Sequence, residues 1–392
     1  MKILLISSTF PPRKFGGVTA SSYILAKNLV TRRHEVTVYT TDISDRYSRI
    51  PDTKGVKNLD GIEVHYFRNL SNWLASLRLY SPVGMIAAIR KELNKFDIVH
   101  LNEYRSLQSI TVHCYAKRYG IPYVLQARGS LPRIMTKQRL KQIYDILWGY
   151  RLLGDAAKVI ALTRMEAEQY KSLGVSQDKI EIVPNGIDLA EFENLPPRGE
   201  FRKKWRIDNH QKIVLFLSRI HKIKGPDLLA KAFAALLNEF NNIKLVIVGP
   251  DDGYLPMLKK LIQELNIEER VLITGLLHGR DKLAAYVDAD VYVLPSAYEI
   301  FGRTLLEACA CGTPIVVTDR CGIANVIDGQ AGLAVPYDKD ALGKALRDML
   351  NDDQMRRQFG KKGKLLVREK FNWEKISQQM ESIYQSCVSP KG

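Results

Sequence analysis

The sequence lacks what would place it in a membrane or a disulfide scaffold. No apolar run reaches the ~18–20 residues that cross a bilayer. The apolar start, Met1 to Ile6, is ended by Ser7, Ser8, Pro11, Pro12, Arg13 and Lys14. That stretch is too short for a secretory signal core, no small-residue cleavage site follows it, and a buried first strand is expected instead. The five cysteines (Cys114, Cys309, Cys311, Cys321, Cys387) are odd in number and irregularly placed, which fits reduced thiols in a cytosolic protein. Cys309 and Cys311 do not have a zinc spacing and no histidine cluster accompanies them, so no structural metal is expected. Acid is also in short supply, with 42 Asp and Glu against 58 Lys and Arg.

What is present is a globular composition, 46% hydrophobic and 26% charged. At 392 residues the chain exceeds what one core usually supports, and two domains follow. Short β-rich runs alternate with helical patterns: Lys2–Ser7, Glu35–Thr40, Ile62–Phe67, Ile98–Leu101, Tyr123–Gln126, Val159–Leu162 and Ile180–Val183. After a Pro- and Gly-containing linker around residues 194–199 the pattern restarts, with strands at Lys212–Leu217, Lys244–Val248, Arg270–Thr274, Val291–Leu294 and Pro314–Thr318. Helices are expected between them, among them Ala20–Arg32, Asp227–Phe240, Leu255–Leu265, Asp281–Asp288 and Thr304–Cys311. The reading is α/β, two doubly wound Rossmann-like domains facing each other across a cleft. Ligands of open parallel sheets bind beyond the carboxyl ends of the strands, so the loops after strands are where chemistry is sought.

Three such loops carry candidates. Gly16 and Gly17, after the first strand and before a helix, allow close backbone approach to a ligand, although they form neither a dinucleotide fingerprint nor a Walker loop. Arg219 and Lys224 follow the first strand of the second domain and suit a diphosphate. After strand Val291–Leu294 comes Pro295-Ser296-Ala297-Tyr298-Glu299-Ile300-Phe301-Gly302-Arg303-Thr304, then Glu307 one turn inside the next helix. The unpaired N–H groups of Phe301 to Thr304 would favour phosphate, with Glu307 on hydroxyls beside it and Glu299 on a sugar. A turn, a solvated basic face and a helix-dipole carboxylate are the plainer readings of each feature taken alone.

Glu299 and Glu307 in the setting Pro-Ser-x-x-Glu-x-Phe-Gly-x-x-x-x-Glu-Ala resemble the signature of the retaining family 4 glycosyltransferases, which have the two-domain GT-B fold. Gly16-Gly17, Asp97-Ile98-Val99-His100, Pro184-Asn185-Gly186, Ser218-Arg219 with Lys224-Gly225, Val248-Gly249 and Cys311-Gly312-Thr313-Pro314 agree in order, over about residues 1 to 375. The resemblance implies an acceptor-side domain over residues 1–195, a nucleotide-sugar domain over 196–366, and a C-terminal helix within 367–392 that crosses back. It implies that Arg219 and Lys224 hold the donor diphosphate and stabilise the leaving group, with Gly16 and Gly17 near the phosphates and Gly249 also on the donor side. Leu276 and Leu277 would flank the base, Glu307 would hold the ribose, and Glu299 with the amides of Ile300, Phe301, Gly302 and Arg303, and Thr304 beyond, would orient the sugar. No cofactor or metal is expected. Many members carry a His-Gly after a first-domain strand, where Ala127-Arg128-Gly129 stands here. Arg128 can contact donor sugar or phosphate but cannot act as a base near neutral pH. His100 is either a structural histidine or, with Asn185, an acceptor-side residue.

Between Arg68 and Arg151 the sequence has fourteen Lys and Arg against four acids. Trp73, Leu74, Leu77, Leu79 and Tyr80 interleave there with Arg68 and Arg78, and Ile143, Tyr144, Leu147 and Trp148 with Arg139, Lys141 and Arg151. This is either ordinary helix packing with a basic rim or a peripheral contact with an anionic membrane. The expectation is a cytoplasmic hexosyltransferase, peripheral on the inner membrane face, with a nucleotide-sugar donor and a hydroxyl acceptor, lipid-linked or polysaccharide. A GT-B epimerase, a phosphorylase, a sugar-nucleotide sensor and a nucleic-acid binder are the alternatives, the last without any nucleic-acid motif.

Overall fold

Alternation along the first strand sets up the first unit. In β1 (Lys2–Ile6), Leu4 and Ile6 enter one buried cluster while Ile3 and Leu5 enter another, so the sheet carries a core on each face. The computed structural model describes residues 1–388 except 13–15, 46–47, 54, 77–78 and 135–136. Arg13, Lys14, Leu77 and Arg78 therefore lie outside the described residues.

The chain divides into two compact units, Met1–Gly186 with the C-terminal helix Trp373–Val388, and Ile187–Asn372. The first holds β1, β2 (Glu35–Thr41), β3 (Val56–Leu59), β4 (Ile62–Phe67), β5 (Ile98–Leu101), β6 (Tyr123–Gln126), β7 (Lys158–Ala161) and β8 (Ile180–Ile182). They form one sheet in the order β3-β4-β2-β1-β5-β6-β7-β8, parallel except for the β3–β4 pair. The second holds β9 (Lys212–Leu217), β10 (Ile243–Val248), β11 (Val271–Gly275), β12 (Val291–Leu294), β13 (Ile315–Thr318) and β14 (Gly332–Val335), in the parallel order β11-β10-β9-β12-β13-β14. Central strands β5, β6, β12 and β13 are buried at every residue, as strands covered on both faces must be. The doubly wound α/β expectation is met in each unit.

Two strands escaped the sequence reading. β3 is Val-Lys-Asn-Leu at the sheet edge, half polar because one side of it meets water. β14 is four residues long and begins with Gly332, where an added Cβ would lie 1.8 Å from the carbonyl oxygen of Ile315. Helix limits also differ: the helix expected over Asp227–Phe240 is Pro226–Leu236, and the first runs over Gly17–Thr31.

The last helix is Trp373–Val388, after a break at Phe371 and Asn372 that separates it from helix Asp353–Lys370. Trp373, Ile376, Met380, Ile383 and Tyr384 make an apolar stripe at helical spacing, packed in one cluster with Ile3, Leu5, Leu25, Leu29 and Val36. Glu381 anchors the helix, accepting from Arg32 Nε (2.6 Å) and meeting His34 Nε2 at 2.8 Å. Replacing Met380, 2% exposed, by alanine is expected to cost about 2–5 kcal/mol in urea unfolding of the first unit. Gln378→Ala, on the exposed face of the same helix, is expected to stay within about 0.5 kcal/mol. Equal effects of the two changes would contradict the docking described.

Candidate functional site

In the second sheet the strand order reverses between β9 and β12, and this switch point is where chain connections leave in opposite directions. The loop after β9 carries Arg219 and Lys224, and the loop after β12 carries Glu299. The two loops are tied together: the Ala297 N–H donates to the Ile223 carbonyl at 2.8 Å. Gly225, at φ +68°, has no room for a side chain, since a Cβ would lie 1.9 Å from the Pro295 carbonyl oxygen. Gly249, after β10, plays the same part against Ser218, whose carbonyl oxygen lies 1.8 Å from the position of a Cβ. Glycine at these two positions is what lets three strand ends close on one another.

Lys224 and Glu299 form a hydrogen-bonded ion pair with both side chains mostly covered (12% and 19% exposed). The Glu299 main chain is clamped in turn: its N–H donates to Arg320 O (3.1 Å) and its carbonyl accepts from Gly322 N–H (2.8 Å). Glu299 Oε1 also faces the Phe301 N–H at 3.4 Å, so that amide, expected to be unpaired, is engaged by the glutamate. Ile300 and Phe301 bury their side chains in the core, and Phe301 meets the Phe371 ring at 5.8 Å edge-on. Gly302, at φ +71°, caps helix Arg303–Cys311. Thr304 Oγ1 bonds the Tyr292 hydroxyl (2.6 Å), which also donates to Leu217 O (3.2 Å) and so pins the helix start to the end of β9.

Arg219 is half-exposed and paired with Asp252, a residue the sequence reading did not single out. Glu307 is 5% exposed. It accepts from Lys282 Nζ and from the Tyr286 hydroxyl, each at 3.1 Å, with Arg303 Nε at 3.4 Å. Lys282 and Tyr286 were also missed; both lie on helix Gly279–Asp288, one turn apart, and that spacing was their only signal. Leu276 is 43% exposed and Leu277 half-buried just after β11, at the far edge of the same sheet.

In the first unit the order reverses between β1 and β5. Gly16, at φ +116°, and Gly17 start the helix after β1. Asn102 follows β5, and its Oδ1 accepts from Arg128 Nε (2.9 Å) and Nη2 (2.7 Å), while Asn185 Oδ1 accepts from Nη1 (3.0 Å). Burial pulls Arg128 down to about 10, so it stays protonated near neutral pH. His100 is not at a ligand-facing surface: it is fully buried, with Nδ1 2.5 Å from the Tyr384 hydroxyl, and burial lowers it to about 3. A neutral core imidazole is what that placement leaves. Glu166, also overlooked, is buried and accepts from Leu162 N–H (2.7 Å) and Gly129 N–H (2.5 Å), which fixes the turn that carries Arg128. Among the described residues no cluster of three or more His, Cys, Asp or Glu could hold a metal ion.

Comparison with known proteins bears on the family and the fold. Residues 197–366 match the family described as glycosyl transferases group 1, and residues 15–191 match glycosyltransferase family 4. An uncharacterized glycosyltransferase of Methanocaldococcus jannaschii is 27% identical over the full length of both chains. A D-inositol 3-phosphate glycosyltransferase of Kineococcus radiotolerans is 26% identical, covering 96% of this chain and 92% of its own. Among solved structures, HepE of Anabaena in complex with UDP superposes with a TM-score of 0.79 at 20% identity, over 98% of this chain and all of that one. With both halves matched in order and each unit a Rossmann-like sheet, the chain belongs to the family 4, group 1 glycosyltransferases of GT-B fold.

Proposed function

We propose that the protein transfers a hexosyl group, with retention of configuration, from a nucleoside diphosphate sugar bound by the second unit to a hydroxyl acceptor. The observation that supports this reading is the switch point of the second sheet, whose loops carry Arg219, Lys224 and Glu299, with Lys224 paired to Glu299 ahead of helix Arg303–Cys311. Both cations are held by carboxylates, Asp252 and Glu299, and a diphosphate can take over those partners with four or more oxygens. Positive charge aimed at the departing diphosphate stabilises it as the glycosidic bond breaks, a role that Arg219 and Lys224 fill without calling on a metal. Released from Lys224, Glu299 becomes free to accept hydrogen bonds from sugar hydroxyls. Glu307, whose oxygens keep lone pairs beyond those facing Lys282, Tyr286 and Arg303, suits ribose hydroxyls, with Leu276 beside the base. UDP as the nucleotide is favoured by the UDP complex of HepE.

We further assign the acceptor to an anionic membrane surface, on the strength of one exposed segment. Residues 138–154 are helical throughout, and Leu140, Ile143, Ile146, Leu147 and Trp148 are 41–63% exposed along it, beside exposed Arg139 and Arg151. Scattered apolar side chains on a surface are ordinary, but five within nine residues, rimmed by cations, mark a contact face. The segment is held from below by Asp145, fully buried between Arg105 (2.8 Å) and Arg133 (2.9 Å). A lipid-linked acceptor is met at such a face.

Two measurements test these assignments. Glu299→Ala is expected to lower kcat about 10²–10³-fold with UDP affinity within a few-fold, while Lys224→Ala weakens UDP binding about tenfold or more. Near-normal turnover in the glutamate variant would remove Glu299 from the reaction. Full-length protein is expected to co-sediment with anionic vesicles at low salt, and Ile143→Glu with Leu147→Glu to abolish it. Equal sedimentation with neutral vesicles, or none with anionic ones, ends the membrane assignment.

A further inference from the structure

We propose that Arg128, oriented by Asn102 and Asn185, is an anion receptor that selects a substrate bearing a phosphate or carboxylate group. The inference rests on the sugar-transfer reading and adds to it the chemistry of one substrate. A guanidinium has five N–H donors, and three are used here: Nε and Nη2 on Asn102 Oδ1, Nη1 on Asn185 Oδ1. One donor on each Nη is left over. All three bonds go to neutral amide oxygens, which fix the plane of the guanidinium without cancelling its charge. No carboxylate lies within ion-pair distance of Arg128 among the described residues, unlike Arg219 with Asp252 or Arg105 with Asp145.

The nearby carboxylate, Glu166, is fully buried and spent on the N–H groups of Leu162 and Gly129. It is a positioning residue, holding the turn in which Arg128 (φ +51°) and Gly129 (φ +83°) both adopt the left-handed conformation. Asn102 is oriented too, since its Nδ2 donates to Ile6 O at 3.4 Å and so turns Oδ1 towards the guanidinium. A half-buried cation with preset geometry, spare donors and no carboxylate in ion-pair contact lowers its energy by taking an anion. It sits past the ends of β5 and β6, beside the switch point of the first sheet, where open α/β sheets bind ligands.

The test uses the full chain saturated with UDP, titrated with inorganic phosphate against a chloride series of equal ionic strength while Tm is followed. Phosphate is expected to raise Tm saturably in wild type, about ten- to a hundredfold more weakly in Arg128→Gln, and to an intermediate extent in Arg128→Lys. A far-UV CD spectrum and a Tm without phosphate that match wild type show that both variants are folded. No saturable effect in wild type, or the same effect in Arg128→Gln, overturns the proposal. Two substrate pairs then locate the anion: UDP-glucuronic acid against UDP-glucose, and D-inositol 3-phosphate against inositol. An Arg128-dependent preference for the anionic twin in the first pair places it on the donor, in the second on the acceptor. Its absence in both overturns the selective role whatever phosphate does. If wild type fails to bind UDP, the donor reading fails, and the phosphate titration without UDP, compared between wild type and Arg128→Gln, still decides the receptor.

Discussion

The reversal of strand order in each parallel sheet is the constraint on which the rest depends. Helices that leave neighbouring strands on opposite faces cannot cover the carboxyl ends between those strands, and polar loops gather there. The central strands are covered on both faces, which is why their runs are mostly apolar. In the second unit the gap falls between β9 and β12, and the loops that carry the cations and the glutamate, with a helix start, gather there. In the first unit the gap lies between β1 and β5, beside Asn102 and Arg128.

The cations at these two places are held by different means, and the difference carries information. Arg219 and Lys224 have carboxylate partners, and in the function proposed above a diphosphate would exchange for those partners at small net electrostatic cost. Arg128 has amide partners only, so an arriving anion pairs with it without displacing a carboxylate. The first arrangement suits a ligand that must leave after each turnover. The second suits recognition, because discrimination against a neutral substrate is strongest where its absence leaves a charge unpaired.

Much of this was legible in the sequence, for a physical reason. Buried parallel strands are mostly apolar, and the runs Ile98–Leu101, Tyr123–Gln126 and Val291–Leu294 are found with the limits read from sequence. Glu299, Arg219 and Lys224 were visible because they follow such strands. β3 and β14 were not, since an edge strand with a wet side and a four-residue strand opening on glycine have no apolar run to show. Asp252, Lys282, Tyr286 and Glu166 were invisible because their roles are contacts across the fold: an aspartate beyond β10 reaching Arg219, a helix brought over Glu307, a carboxylate turned under the Arg128 loop. No spacing within one element encodes a partner supplied by another.

His100 and Arg128 together bear on where the acceptor's proton goes. His100 is locked in the core against Tyr384 and kept neutral, with its charged form disfavoured by burial and by Arg128. Arg128 stays protonated through the neutral range and has no capacity to accept. Glu166 has burial raising its pKa, but its oxygens are already occupied by backbone donors deep below the turn. The ionisable groups clustered round this turn thus either hold their proton or lie out of reach, and a base must come from elsewhere. In the function proposed above, a phosphate oxygen of the departing nucleotide, gaining charge as the bond to the sugar lengthens, would meet that need on the same face as the leaving group. Such a course would give the retention proposed above, and His100 and Arg128 supply no base that competes with it.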